Sequence, residues 1–164
     1  MEMKTTTVAM ALMGLLLASG TAAAKNDAKL PATATAMTSE EVTALFSGNT
    51  TDWKPARAFW AADGKVIGLY PKKGSEAVGE GKWTVTGNKM CYEIDWRTAK
   101  KTAAPFHENA CNEFYKAGKK IWTKNVENSD AQYEGNIYTG EDKKLIKGDK
   151  ASKEADAVKA KFEQ

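Results

Sequence analysis

Between Lys89 and Arg97 the chain alternates without a break: Met90, Tyr92, Ile94 and Trp96 share one parity, and Cys91, Glu93, Asp95 and Arg97 share the other. Successive side chains of a strand point to opposite faces, so this stretch predicts a strand with one apolar and one charged side. Shorter runs of the same kind surround it. Ala58-Phe59-Trp60 leads through Asp63-Gly64, a dipeptide suited to the positive φ of a tight hairpin, into residues 66–70. After a polar loop at 71–76, residues 82–86 alternate, and Gly87-Asn88 turns into the clear strand. A loop at 99–105 precedes strand-like residues 111–116, Ala117-Gly118 turns, and residues 121–126 follow. Weaker strand signals lie at 136–139 and at Leu145-Ile146. Short strands joined mostly by tight turns predict a mainly β fold, an antiparallel meander forming a small barrel or sandwich.

Helical spacing occurs at two places. Thr38-Ser39-Glu40-Glu41 is a capping box, in which the Thr38 hydroxyl meets the Glu41 amide and the Glu41 carboxylate reaches back. Val42, Leu45 and Phe46 then fall on one face and Gly48 supplies the stop, predicting a short helix over about 39–46. From Ser152 the spacing of Ala155, Val158 and Phe162 predicts a second helix near the C-terminus, its mixed charges marking a solvated face rather than a membrane anchor.

The first residues obey a different logic. Lys4, an apolar run from Val8 to Leu17 and the small residues Thr21-Ala22-Ala23-Ala24 form the charged, apolar and cleavage regions of a secretory signal peptide over residues 1–24. The run covers about 10 residues, whereas a helix needs about 20 to cross a bilayer. No Cys follows it to take a lipid, and no later run is long enough to span a membrane. The expected product is periplasmic or secreted. Residues 25–37, with Pro31 and alternating Ala and Thr, read as a flexible tether, and 38–164 as one β-rich domain with its core over about 39–147.

Net charge is +3 and remains so when the leader, with Glu2 and Lys4, is removed. The basic pairs Lys72-Lys73, Lys100-Lys101, Lys119-Lys120 and Lys143-Lys144 are scattered among acidic residues, as solvated turns are, so no nucleic-acid partner is expected. Two cysteines, Cys91 and Cys111, entering an oxidising compartment predict one disulfide. If they face each other across neighbouring antiparallel strands, the hairpin midpoint falls at Lys101, inside the expected loop. No Cys-x-x-Cys suggests redox catalysis.

A search for catalytic chemistry yields no catalytic residue. The chain has one histidine, His107, too few for a multi-histidine metal site, and no cofactor is expected. There is no Gly-x-Ser-x-Gly elbow, and Gly74, Gly79 and Gly81 match neither phosphate-binding pattern. Glu93 and Asp95 share a strand face and could divide acid and base roles in sugar hydrolysis, but Arg97 beside them and the apolar residues behind them read more simply as an exposed face.

Leu45-Phe46-Ser47-Gly48-Asn49-Thr50, the Asp63-Gly64 turn, Gly81-Lys82-Trp83, Met90-Cys91-Tyr92 and the later Cys111 together resemble a family of short exported bacterial proteins grouped as a domain of unknown function, over about residues 40–126. A Gly-x-Trp strand beside meander hairpins is also similar in style to calycin barrels, the lipocalins and avidins. The first resemblance implies no activity and no catalytic residue. The second is a likeness of architecture and implies a small barrel.

The aromatic residues are the remaining lead. Trp60, Tyr70, Trp83, Tyr92, Trp96 and Trp122 all fall on expected strands, where they either fill a small barrel or line a pocket in it, and filling is the commoner fate. The resulting expectation is a non-enzymatic exported protein with a small-molecule ligand, apolar or glycan, held by Trp83, Met90, Tyr92, Ile94 and Trp96. Two other readings stand beside it. One is an interaction or inhibitor module with an envelope protein partner, using loops 71–80 and 97–108. The other is an envelope-polymer hydrolase using Glu93 and Asp95.

Overall fold

A computed structural model describes residues 28–98 and 104–162, so the signal peptide expected over 1–24 lies outside the described residues. The described residues begin with β1 (Thr35–Ala36), α1 (Ser39–Phe46), β2 (Asn49–Asp52), β3 (Arg57–Trp60) and β4 (Lys65–Tyr70). The long strands follow: β5 (Ala77–Thr86), β6 (Lys89–Thr98), β7 (Phe106–Ala117) and β8 (Lys120–Asn128). After β9 (Ile137–Thr139) come a single 3-10 turn at Asp142–Lys144, β10 (Leu145–Lys147) and α2 (Ser152–Lys159). No described helix is long and apolar enough to cross a membrane.

All ladders are antiparallel, and the strands run in the order β10-β2-β3-β4-β5-β6-β7-β8-β9, with β1 attached to β7. The two ends of that path are consecutive in the chain. Laid flat, nine strands spaced about 4.8 Å apart would hold β9 and β10 roughly 38 Å from each other. The chain between Thr139 and Leu145 reaches at most about 20 Å. The sheet therefore curls, and the 3-10 turn bridges its free edges. The result is a half-barrel, and the calycin likeness holds only at this level of architecture.

The concave face carries the main core: Val42, Phe46, Ala58, Trp60, Val66, Trp83, Met90, Ile94, Trp96 and Phe114. On β6 the apolar parity faces inward, with Met90, Ile94 and Trp96 buried and Tyr92 half-buried, while Glu93, Asp95 and Arg97 stay exposed. Cys91 and Cys111 are direct partners in the β6–β7 register and form the disulfide. The same register, from Lys89 opposite Glu113 to Trp96 opposite Phe106, is that of a hairpin centred on residue 101.

The capping box forms as the sequence predicts: Thr38 Oγ1 accepts from the Glu41 amide at 3.2 Å, and the Thr38 amide donates to Glu41 Oε2 at 2.9 Å. Ser39 Oγ donates to the Gly87 carbonyl, which sets α1 against the β5–β6 turn. Phe46 packs at 5.8 Å from Trp60 and 5.2 Å from Phe114, so α1 closes that end of the curl. The second helix covers the convex face instead, where Ala151, Ala155 and Val158 bury Leu69 and Val78, with Phe59, Ile67 and Phe162 at the margin.

Three boundaries differ from the sequence reading. Strand β5 starts at Ala77, ahead of the expected alternation at 82–86, and Gly79 and Gly81 lie in the sheet under larger neighbours. A Cβ on Gly79 would sit 2.4 Å from Ile94 Cγ2, and one on Gly81 would sit 1.8 Å from the Glu93 carbonyl oxygen. Strand β7 likewise starts at Phe106, five residues ahead of the expected Cys111, and β6 runs one residue further, through Thr98. Backbone pairing also begins before Thr38: Thr35 and Ala36 pair with Lys116 and Tyr115, and Met37 is buried, its amide bonded to the Phe114 carbonyl.

Candidate ligand cavity

Trp53, just past the end of β2, Phe106, at the start of β7, and Asn128, at the end of β8, line one opening. Four large hydrophobic side chains are exposed among the described residues, and three of them, Trp53, Phe106 and Tyr133, line this one mouth. His107, Glu108 and Asp130 complete its rim. A cavity of about 410 Å³ shares Trp53, Tyr92, Asn128 and Tyr133 with the mouth and reaches inward to Phe46 and Phe114. That volume is in the range of small-molecule sites.

The aromatic wall is built edge to face. Trp60 lies 6.3 Å from Trp53, in a T-shaped arrangement, and 5.4 Å from Tyr92. The Trp60 indole donates to Thr51 Oγ1 at 2.7 Å, which satisfies its one polar atom inside the core. Across the wall, Glu108 accepts from the Tyr92 hydroxyl at 3.0 Å and from the Trp96 indole at 2.8 Å, one carboxylate oxygen for each. Burial, and after it the Glu108 carboxylate, pushes the Tyr92 phenol far above its ordinary range, so it remains a protonated donor. The Tyr138 phenol is pushed the same way by burial and then by Glu141.

Glu141 is the buried charge of the site. Only 6% exposed, it accepts from the Trp53 indole at 2.8 Å through one oxygen and from Lys144 Nζ at 2.9 Å through the other. Lys144 also lies 5.8 Å from the centre of the Tyr138 ring. The bridge across the sheet's free edges thus carries a neutralised ion pair that is anchored to the β2 side through Trp53.

The rest of the lining is amide. Asn112, Asn125, Asn128 and Asn136 all face the cavity. Residues 125 and 128 have opposite parity, and a regular strand would turn one of them outward. The register shift at Cys111/Asn112 pairs Asn112 with Asn125 and Ala110 with Asn128, so the bulge returns both asparagines to the same side. Asn125 Nδ2 donates to Asn112 Oδ1 at 3.0 Å, while Asn125 Oδ1, in a residue only 5% exposed, has no partner among the described residues.

Of the side chains expected to hold a ligand, Met90 and Tyr92 line this cavity. Trp83 packs 6.2 Å from Trp60 and donates to the Ala61 carbonyl, while Ile94 and Trp96 belong to the packed core over Gly79. Glu93 and Asp95 are exposed on the convex side, with Asp95 bonded to His107 Nδ1 at 2.8 Å. Sequence reasoning missed Trp53, Glu141, Lys144 and the asparagines. One signal was present: asparagine is a poor strand former, and three of them interrupt the β7 and β8 patterns.

No curated protein and no solved structure matches the chain. The family described as protein of unknown function (DUF995) matches residues 13–153, and the chain belongs to that family.

Proposed function

We propose that this is an exported, non-enzymatic binding protein that takes a small guest through the aromatic mouth into the half-barrel. The observation that carries this reading is the clustering of Trp53, Phe106 and Tyr133. Single exposed hydrophobic side chains are ordinary on a protein surface, but exposed rings that cluster mark binding sites, and here three gather at the opening of a cavity walled by Trp60 and Tyr92. The disulfide supports an oxidising, periplasmic or extracellular location, as does the leader pattern at 1–24.

The test is a titration followed by tryptophan emission, since Trp53 and Trp60 both border the cavity. The probes are N-phenyl-1-naphthylamine, a neutral apolar fluorophore, and the neutral disaccharides cellobiose and N,N′-diacetylchitobiose. At least one should bind saturably. Tyr133→Ala, which removes an exposed ring from the mouth, should weaken that binding severalfold and leave the melting temperature within a degree or two. Absence of saturable binding by all of these probes would overturn the reading.

A further inference from the structure

We infer that the guest is a neutral, hydroxyl-bearing sugar whose inner end is held by the Asn112–Asn125 amide pair. This rests on the cavity being a binding site and names the chemistry that the site selects. Its starting point is Asn125, a residue of the cavity lining whose side-chain carbonyl is buried and has no partner among the described residues. A buried acceptor left unpaired is expensive, so a guest that presents a donor gains there what a guest without one cannot. The Asn125 amide nitrogen is committed to Asn112, which holds the carbonyl in place.

Charge narrows the class further. Glu141 is already neutralised by Lys144 and bonded by the Trp53 indole, and Lys144 already sits over the Tyr138 ring. A cationic guest would therefore have to displace a built-in cation from both its carboxylate and its aromatic face. An anionic guest would meet Glu108 at the rim and the carbonyl of Asn125 inside, and both repel it. A hydrocarbon chain would suit Phe46, Met90 and Phe114 but would leave the Asn125 carbonyl desolvated.

What remains is a molecule with hydroxyl donors and acceptors at its edge and an apolar C–H face for the rings. A sugar has this form. The four asparagines offer both donors and acceptors without net charge, and Trp53 and Tyr133 offer exposed aromatic rings. The cavity volume of about 410 Å³ accommodates about one to two rings.

The experiment compares five probes on the unmodified protein: cellobiose and N,N′-diacetylchitobiose with free hydroxyls, cellobiose methylated at every hydroxyl, choline, and N-phenyl-1-naphthylamine. At least one free disaccharide should bind. If it is cellobiose, the methylated form should bind at least tenfold more weakly, and choline should not compete. Asn125→Leu, similar in size but without the amide, should lose sugar affinity by tenfold or more and gain affinity for the fluorophore. Equal binding of free and methylated cellobiose, preference for choline, or binding of the fluorophore alone would overturn the sugar assignment and leave the binding site standing. Binding of no probe at all would instead overturn the site itself. The comparison of free and methylated sugar uses no variant, so the test survives if Asn125→Leu fails to fold.

Discussion

The indole of Trp96 on β6 lies directly over Gly68 on β4, two strands away, so that a Cβ built on the glycine would come within 2.6 Å of Trp96 Cη2. The contact is possible because Gly79, on the intervening strand, also lacks a side chain, and its Cβ would meet Trp96 Cδ2 at 3.0 Å. Two glycines thus form the floor on which the largest side chain of β6 rests, with Phe106 stacked against it at 6.0 Å.

Gly68→Ala should therefore destabilise the protein by overpacking, by about 1–3 kcal/mol. In a Trp96→Phe background the same substitution should cost clearly less, because the shorter ring withdraws from the glycine. Chemical denaturation of the two singles and the double measures the coupling. Additive losses would show that the indole and the glycine do not press on each other. Trp96→Ala should cost about 3–5 kcal/mol, the usual range for emptying a buried aromatic site.

The disulfide closes a loop with a sequence separation of 20 between strands that are already hydrogen bonded. On the chain-entropy account, a loop of that size contributes about 3 kcal/mol by restricting the unfolded chain. Replacing both cysteines by alanine should lower the denaturation midpoint accordingly and leave the folded circular dichroism unchanged. Mass analysis of the native protein after alkylation should find neither Cys91 nor Cys111 modified. Equal stability with and without the bridge would contradict its structural role.

Alkali should unfold this protein through Tyr92. The ordinary phenol value is 10.0, and burial together with Glu108 raises it in the folded chain. The folded state therefore keeps its proton at a pH where the unfolded state has begun to lose it. Stability is complete below the unfolded value and falls as pH rises above it, by up to about 1.4 kcal/mol per pH unit for each such phenol. Tyr138, raised in the same direction, adds to the slope. Tyr92→Phe should be somewhat less stable at pH 8, having lost the bond to Glu108, yet lose stability less steeply above about pH 10. Parallel curves for the two proteins would show that this phenol does not titrate differently on folding.

Much of the scaffold was legible in the chain before any tertiary structure was known. The parity of Met90, Tyr92, Ile94 and Trp96, the capping box at Thr38, the Asp63-Gly64 and Gly87-Asn88 turns and the pairing of Cys91 with Cys111 all appear where the sequence puts them. Each depends on neighbours a few residues apart, or on a hairpin whose two arms are joined by one loop. Local geometry and alternation are sufficient for these.

The cavity was decided elsewhere. Trp53 meets Glu141 across 88 positions of sequence, and only the curl of the sheet brings its first and last strands to the same seam. Asn125 and Asn128 face the same interior because a bulge shifts the ladder by one residue, which periodicity within a single strand cannot reveal. Gly79 reads as a loop former in isolation, and its place in the sheet follows from what lies over it, an isoleucine and an indole. Periodicity assigned the inner face of each strand; the space left between those faces depended on sheet curvature, register and side-chain volume acting together, and only the folded chain combines them.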